Sequence, residues 1–214
     1  MALGKLIIFE GIDGSGKGMA LKQFLEIMDS KNMSYVTCPA IGAGRFGNKL
    51  RNLIVSDLGE RPSAVAESLI FLSAIQDVVE NIIAPNIADG THVILDRYFY
   101  STYVYQSALA ETTTKPPGLS LDKLLSCIDD LPKPDYLFYM DILADNAIAN
   151  IKSRGDVITN MDAAVMRNTQ RYIDLYKSSR EVYPAKNEII LNSNPPYPKT
   201  YEDLNNVARI LENS

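Results

Sequence analysis

The feature that most constrains the fold of this chain is a glycine-rich turn between an apolar strand and a helical pattern. Residues Lys5–Phe9 form a short apolar run, and residues 11–17 read Gly-Ile-Asp-Gly-Ser-Gly-Lys, which satisfies GxxxxGK. Such a loop turns backbone N–H groups and a helix N-terminus toward an anion, and its lysine adds a full positive charge. We therefore predict that nucleotide phosphates are bound by Gly11, Asp13, Gly14, Ser15, Gly16, Lys17 and Gly18.

Strand and helix patterns alternate along the rest of the chain. Apolar runs typical of strands lie at 35–37, 92–95, 136–140 and 188–191, and the longest helical patterns lie at about 63–87 and 161–182. This alternation predicts an α/β fold, with a central parallel sheet flanked by helices on both faces. Together with the phosphate loop it predicts the P-loop NTPase fold. We expect one domain over residues 1–214, with a short lid at about 153–162.

Composition excludes several classes of protein. Lys and Arg number 21 against 26 Asp and Glu, and the net charge of −5 disfavours a protein that wraps a nucleic acid polymer. The single histidine and two distant cysteines, Cys38 and Cys127, give no zinc cluster and suit a reducing, cytoplasmic compartment. The apolar run before Glu10 is too short for a signal peptide or a membrane span, so we expect no membrane partner.

The residue after Lys17 departs from the usual loop pattern. A serine or threonine hydroxyl normally coordinates Mg²⁺ at this position, whereas this chain has Gly18. Either phosphates, water and a carboxylate hold the metal, or nucleotide turnover is weakened. We favour the first interpretation because a degenerate loop would also be expected to lose Lys17.

Several motifs, taken in order, give the chain a resemblance to the thymidylate kinase family over nearly its whole length. Phe9–Lys17 is similar to FEGxDGxGK, Asp96–Gln106 to DRYxxSxxxYQ, Pro134–Asp141 to PDxxxxLD, and Arg154–Asp156 to the start of the lid. The resemblance implies a kinase that uses ATP and Mg²⁺ to phosphorylate a pyrimidine deoxynucleoside monophosphate, most simply dTMP to dTDP. It also implies a homodimer whose partners are small-molecule nucleotides.

The resemblance implies roles for individual charged residues. Lys17 and the lid arginine, Arg154, would act on the triphosphate, and Asp13 would receive the 3′-hydroxyl of the acceptor deoxyribose. Asp96 is the expected outer-sphere Mg²⁺ ligand. Arg97 follows a sheet strand at its carboxyl end, where such folds bind ligands, so we expect it to clamp the acceptor phosphate. A structural ion pair between Arg97 and Asp96 is the competing interpretation.

The acceptor site is expected to combine side chains from the phosphate loop, two helices and the DRY motif. Its predicted members are Asp13, Arg51, Phe71, Ile75, Arg97, Ser101, Thr102, Tyr105 and Gln106. By resemblance, Phe71 would stack on the pyrimidine ring and Tyr105 would close the sugar side. The family commonly has arginine where this chain has Ile75, and an EPGGT-like loop where it has Cys38–Gly42. Phosphorylation of dUMP or of a 5-modified pyrimidine deoxynucleotide is therefore a second hypothesis.

A third hypothesis, from a different class, is a nucleotide-binding sensor without turnover. Gly18 favours it, and so does the lid segment 157–160, which lacks basic residues where the family usually has them. Arg167 and Arg171 are conceivable substitutes, but pairing on a helix surface is the simpler interpretation of both. We assign no chemistry to the cysteines or to His92.

Overall fold

Five parallel strands form one sheet in the computed structural model, which describes residues 3–55, 62–112, 131–155, 157–195 and 200–212. The strands are β1 (Leu6–Glu10), β2 (Tyr35–Pro39), β3 (His92–Asp96), β4 (Tyr136–Asp141) and β5 (Asn187–Asn192). Their order across the sheet is β2-β3-β1-β4-β5, and every neighbouring pair is parallel. The α/β fold with a central parallel sheet is confirmed.

Helices cover both faces of this sheet. They are α1 (Lys17–Ser30), α2 (Gly44–Val55), α3 (Ala64–Val78), α4 (Ala84–Ala88), α5 (Phe99–Glu111), α6 (Ala144–Ser153), α7 (Asn160–Arg167), α8 (Thr169–Val182) and α9 (Thr200–Glu212). One core cluster joins the sheet to α3, α5 and α8, and a second joins it to α1 and α9. The sheet is therefore the middle of three layers.

The central strand β1 illustrates how the sequence directs this layering. All of its residues are buried. Leu6 and Ile8 belong to the first core cluster, whereas Ile7 and Phe9 belong to the second, because successive side chains of a strand point to opposite faces. A run that is apolar on both faces is stable only where helices cover both, which places β1 at the centre.

The helix predicted at about 63–87 runs continuously from Ala64 to Ala88. Its backbone hydrogen-bonding pattern changes from α-helical to π-helical within this span. Val79–Ile83 form a π segment just before Pro85, which has no N–H to donate and lies at the start of α4. Within the described residues this is the one helix long and apolar enough to cross a membrane by length and composition. Core helices of layered proteins meet the same criteria, and this one packs against α2 and α5.

The single helix predicted at 161–182 is wrong, because the structure divides it into α7 and α8. Asn168 between them has φ −147° and ψ 49°, which is not a helical conformation. A capping box between Thr159 and Asp162 starts α7. The region predicted as a lid therefore contains the end of α6 and the start of α7. Cys127 and Asp156, which the sequence analysis discusses, lie outside the described residues.

Candidate active site

The site lies at the carboxyl edge of the sheet, where β1 and β3 end side by side. The loop at 11–16 follows β1, and Asp96 and Arg97 end and follow β3; the strand register pairs Phe9 with Asp96. After β1 the chain forms β2 and β3 on one side of β1, and then β4 and β5 on its other side. A crevice opens where the connections turn to opposite sides, as is usual in open α/β sheets. Residues about 80 positions apart thereby meet in one place.

The loop conformation depends on glycine. Gly14 has φ +82°, and a Cβ there would lie 2.3 Å from the carbonyl oxygen of Ala147. The carbonyl of Gly14 accepts a hydrogen bond from Nδ2 of Asn150 at 2.8 Å, which ties the loop to α6. Gly16 has φ +80° and is the N-cap of α1, with no side-chain cap. Met19 and Ala20 donate their N–H groups to the carbonyl of Gly16 at 3.0 and 3.2 Å, so at the start of α1 the N–H groups of Lys17 and Gly18 are the ones available to an anion among the described hydrogen bonds.

Lys17 and Asp96 form an ion pair at the mouth of the loop. Lys17 is buried, and the cost of burying its charge lowers the pKa of its ammonium group, an effect reinforced by the nearby charge of Arg97 and opposed by Asp96. The competing interpretation of Arg97 as the ion-pair partner of Asp96 is wrong, because the carboxylate that Arg97 contacts is that of Asp13. Lys17 is consequently a buried cation with a single carboxylate partner among the described ion pairs.

The guanidinium of Arg97 is held by a network of acceptors. Its Nη2 donates to Oδ1 of Asp13 at 2.6 Å. Its Nη1 is 3.0 Å from the carbonyl of Gly11, 2.8 Å from Oγ of Ser101 and 3.0 Å from the hydroxyl of Tyr176. Its backbone has φ +71°, a left-handed conformation that costs a residue with a Cβ about 1 kcal/mol. This network holds the side chain between the loop, α5 and α8.

A buried carboxylate, Glu10, lies beneath this network. Its Oε1 accepts from the backbone N–H groups of Tyr98 (2.7 Å) and Ser101 (3.1 Å). Its Oε2 accepts from the hydroxyls of Ser101 (2.7 Å) and Tyr176 (3.1 Å). Burial raises the pKa of Glu10, while Arg97 and these donors oppose the rise. The sequence analysis did not predict Glu10 as a site residue. The available signal was its position, because Glu10 is a charged residue at the end of a buried strand and within the motif at Phe9–Lys17.

A cleft of about 730 Å³ extends from the loop toward α6 and β4. All the predicted phosphate-binding residues except Gly11 line this cleft, and so do Arg97 and Arg154. The lining residues that the sequence did not predict are Ile12, Met19, Ala20, Gln23, Met140, Asn150, Ser153 and Ser193. Gly11 instead presents its carbonyl to Arg97. Arg154, an exposed residue, lies 3.8 Å from a carboxylate oxygen of Asp162 in α7.

A second, smaller cavity of about 130 Å³ adjoins the cleft. Its lining consists of Asp13, Ile41, Phe71, Arg97, Ser101, Thr102, Tyr105, Gln106 and Met161. Asp13 and Arg97 line both spaces, so the two meet at this ion pair. Asp13 also accepts from the hydroxyl of Tyr105 at 2.8 Å, so both of its oxygens are engaged.

Two predicted acceptor residues lie elsewhere. Ile75 is fully buried in the core cluster that α3 shares with the sheet, and it does not line the second cavity. An apolar side chain one turn from Phe71 gains more by burial in the core than by facing a polar cavity. Arg51 is exposed on α2 and packs against Gly42, also outside the lining residues.

Residues to which the sequence assigned no chemistry have structural partners. Nδ1 of His92 accepts from the backbone N–H of Lys5 at 3.1 Å. Burial raises the pKa of the Cys38 thiol to about 11, which keeps it protonated. The predicted surface pairing of Arg171 is confirmed, since its Nε donates to both carboxylate oxygens of Glu111 at 3.1 and 3.2 Å. None of these groups lines either cavity.

The donor set for a metal is sparse. Among the described residues no group of three or more His, Cys, Asp or Glu side chains could hold an ion. Mg²⁺ bound with phosphates commonly takes one or two protein carboxylates and completes its coordination with phosphate oxygens and water. A single carboxylate, that of Asp96, is enough for this pattern. Gly18 has open space where its Cβ would lie, so a side chain is sterically allowed there.

Gly18→Ser is expected to raise the free energy of unfolding by about 0.5 kcal/mol, since glycine in a helix costs conformational entropy. By the usual loop pattern its hydroxyl would add a Mg²⁺ ligand, so a complex of Mg²⁺ with a nucleotide should bind more tightly. Denaturant unfolding and a Mg²⁺ titration of nucleotide binding measure the two effects. Gly18→Ala is the matched control, because it removes the conformational freedom of glycine without adding a hydroxyl. An identical Mg²⁺ response from both variants would contradict the prediction.

The parallel sheet and the glycine loop at its carboxyl edge define a protein of the P-loop NTPase fold. The family model described as "Thymidylate kinase" matches residues 9–194. A thymidylate kinase of Xanthomonas campestris pv. campestris (strain B100) is 36% identical over 153 residues, which is 72% of this chain and 63% of that protein. The probable thymidylate kinase of Pyrococcus horikoshii is 30% identical over 187 residues, covering 84% of this chain and 87% of that protein.

The thymidylate kinase of Chlorobium limicola is 28% identical over 179 residues, covering 83% of this chain and 80% of that protein. The matched part of the chain thus spans less than two thirds of the Xanthomonas relative and most of the other two. The chain belongs to the thymidylate kinase family.

Proposed function

We propose that this protein transfers the γ-phosphoryl group of ATP to a pyrimidine deoxynucleoside 5′-monophosphate, most simply converting dTMP to dTDP. The observation that carries the proposal is that Arg97 and Asp13 line both the loop cleft and the adjoining cavity. A donor triphosphate in the cleft and a monophosphate in the cavity would therefore meet at one guanidinium. Membership of the thymidylate kinase family supports the same assignment.

The reaction brings two anionic phosphate groups together, so its barrier is lowered mainly by positioning and by positive charge. A phosphate oxygen of the acceptor attacks the γ-phosphorus, the bond from that phosphorus to the β–γ bridging oxygen breaks, and ADP leaves. Lys17 and the N-terminus of α1 would hold the donor phosphates. Arg97 would hold the acceptor phosphate with the N–H groups of Nε and Nη2, because Nη1 already faces three protein acceptors and Nη2 gives one of its two hydrogens to Asp13.

Bound triphosphate also favours the charged form of Lys17. Burial lowers the pKa of this ammonium group, and a polyanion beside it acts in the opposite direction. Mg²⁺, when present with the nucleotide, would neutralise phosphate charge, and Asp96, which pairs with Lys17, would be its outer-sphere carboxylate ligand. Arg154 and the start of α7 would cover the triphosphate and exclude water, which prevents simple hydrolysis of ATP.

A homodimer in the cytoplasm is part of the proposal. Large apolar side chains lie exposed on neighbouring helices: Phe46 and Leu53 on α2, and Leu69 on α3, each between 44% and 49% exposed. A second copy of the chain would bury them. Analytical ultracentrifugation should show a dimer at micromolar concentration, and a species of 23.7 kDa alone would contradict it.

The test of function is ADP release in the presence of ATP, Mg²⁺ and a panel of acceptors: dTMP, dUMP, 5-hydroxymethyl-dUMP, dCMP and dGMP. We expect dTMP to accelerate release most strongly. The family resemblance implies a donor arginine at position 75, whereas this chain has Ile75, buried in the core. This difference favours a second candidate, a kinase for dUMP or a 5-modified deoxynucleotide. Preference for one of those substrates would select it. ATP binding by calorimetry with no acceleration by any acceptor would instead indicate a nucleotide-binding sensor, the hypothesis motivated by Gly18.

A further inference from the structure

A buried carboxylate and two buried hydroxyls beneath Arg97 are not used by the reaction described above. Ser101 donates to Oε2 of Glu10 at 2.7 Å, and Tyr176 donates to the same oxygen at 3.1 Å. Both hydroxyl oxygens also lie within hydrogen-bond distance of Nη1 of Arg97, at 2.8 and 3.0 Å. Glu10, Ser101 and Tyr176 are all buried, so these groups depend on one another for hydrogen bonds. Each hydroxyl is therefore placed between the carboxylate and the guanidinium.

The chemistry of the two charged groups fixes the direction of these hydrogen bonds. An ionised carboxylate only accepts, a guanidinium only donates, and a hydroxyl has a single hydrogen. All of them are satisfied when the hydroxyl hydrogens of Ser101 and Tyr176 point toward Glu10, which leaves both oxygens as acceptors for Arg97. The carbonyl of Gly11, 3.2 Å from the Tyr176 hydroxyl, is a second acceptor for that hydrogen. Glu10 therefore determines which side of each hydroxyl faces the guanidinium.

The other oxygen of Glu10 has a separate role at the start of α5. Oε1 accepts from the backbone N–H groups of Tyr98 and Ser101 at 2.7 and 3.1 Å. Tyr98 is the N-cap of α5 and makes no side-chain cap hydrogen bond, so Glu10 supplies the missing acceptor from 88 positions away. Because backbone N–H groups only donate, this side of residue 10 requires an oxygen, which glutamine also has. Glutamine at position 10 thus separates the cap from the orientation of the hydroxyls.

We propose that Glu10 is a positioning residue that acts through Ser101 and Tyr176. By holding both hydroxyl oxygens toward Nη1 of Arg97, it keeps the guanidinium in the orientation that leaves Nε and Nη2 for the acceptor phosphate. If the hydroxyls turned, their hydrogens would face the N–H groups of Nη1, which would lose two of its three acceptors and keep the carbonyl of Gly11. The guanidinium would then be less firmly oriented toward the phosphate. This inference rests on the proposed kinase function.

The experiment measures the affinities for dTMP and for thymidine by calorimetry in the wild-type protein and in Glu10→Gln. In the variant the amide oxygen keeps the cap of α5, and the amide NH₂ group faces the two hydroxyls and turns their hydrogens away from residue 10. We expect the affinity for dTMP to fall about tenfold or more, while the affinity for thymidine, which has no phosphate, changes less than about twofold. If the acceptor panel selects another nucleotide, that nucleotide and its nucleoside replace this pair.

Three results would overturn the proposal. Equal losses for dTMP and thymidine would show that Glu10 only supports the fold around the pocket. An unchanged affinity for dTMP would show that the hydroxyls hold Arg97 without Glu10. A higher affinity for dTMP would show that the negative charge of Glu10 acts directly, because removing a negative charge beside an anion site favours the anion. The expected fall is opposite in sign to this charge effect.

Glu188→Gln is the matched control. It removes the same charge from a carboxylate that is paired with an arginine, Arg180, and neither of these residues lines either cavity. Its affinities for dTMP and thymidine should both stay at the wild-type values. A loss of dTMP affinity in this control as large as that in Glu10→Gln would contradict a role specific to Glu10.

Tyr176→Phe tests the path from Glu10 to Arg97, because it removes one of the two hydroxyls and keeps the buried ring. We expect a loss of about threefold that is confined to dTMP. In the double variant with Glu10→Gln, the loss should be smaller than the product of the two single losses, as for residues that act through each other. A loss equal to that product would contradict the path through Tyr176.

The proposed function fails in a different way, with no acceptor accelerating ADP release by the wild-type protein. Phosphorylation of dTMP by the wild-type protein, together with an unchanged dTMP affinity in Glu10→Gln, would reject only the role of Glu10. If Glu10→Gln does not fold, Tyr176→Phe decides the case. A loss confined to dTMP in that variant would support the proposal, and equal losses for dTMP and thymidine, or no loss, would overturn it.

Discussion

Lys17→Ala is expected to lower kcat about 100- to 1,000-fold, the usual loss when one preorganised electrostatic contact to the transition state is removed. The charge of this lysine is buried and lies at the proposed site for the donor phosphates, where water screens it little. In the proposed reaction, its loss would remove the cation that balances the negative charge moving to the β–γ bridging oxygen. Steady-state ADP release with saturating dTMP measures the effect.

The fold should survive Lys17→Ala. Its partner Asp96 has a side chain 39% exposed, so water can replace the lost ammonium group. Lys22→Ala is the matched control on the same helix, because the Lys22 side chain is 79% exposed and its ion pair with Glu26 is 4.0 Å long. Near-normal kcat in Lys17→Ala, with an unfolding midpoint close to that of Lys22→Ala, would contradict the assignment of the phosphate loop.

The sheet and the loop could be predicted from the sequence because their determinants are local. The apolar strand β1, the glycines after it and the lysine that follows lie within a dozen residues, and each imposes its own conformation. The same holds for the later strands, whose apolar runs match the structure to within a few residues. Local patterns also explain the error at Asn168, since helical periodicity continues across a single non-helical residue.

Ion-pair partners could not be predicted, because they depend on strand register. Adjacency in sequence suggested a pair between Asp96 and Arg97. The register of β1 and β3 instead sets Asp96 beside Lys17, and the left-handed backbone of Arg97 turns its side chain toward Asp13. Neither the register nor a positive φ at a residue other than glycine leaves a clear sign in one sequence.

The depth to which each residue of one helix face is buried could not be predicted from the sequence either. Phe71 and Ile75 are four residues apart and were assigned to the same acceptor site. In the structure Phe71 lines the cavity, whereas Ile75 is fully buried in the core. Tyr176 gave no signal at all, because an aromatic residue on an amphipathic helix usually only packs. Its hydroxyl nevertheless contacts Arg97, 79 positions away in the chain, and Glu10, 166 positions away. Long-range hydrogen bonds of this kind are visible only in three dimensions.

Arg97→Gly is expected to lower kcat/KM for the acceptor about 100-fold or more while changing the affinity for ATP far less. The variant removes the guanidinium that lies where the two cavities meet, and with it the contacts to Gly11, Ser101, Tyr176 and Asp13. Acceptor kinetics at saturating ATP, with calorimetry of ATP alone, measure the two affinities. Arg171→Ala, which removes an arginine paired on the surface with Glu111, is the control.

Glycine is chosen at position 97 because the backbone there has φ +71°. Arg97→Ala loses the same contacts but keeps the left-handed strain, so its free energy of unfolding should be about 1 kcal/mol lower than that of Arg97→Gly. The two variants should share the same acceptor defect despite this difference, which separates the side chain's role in catalysis from its role in stability. If instead acceptor kinetics follow stability, or if the loss is confined to ATP binding, the guanidinium does not hold the acceptor phosphate.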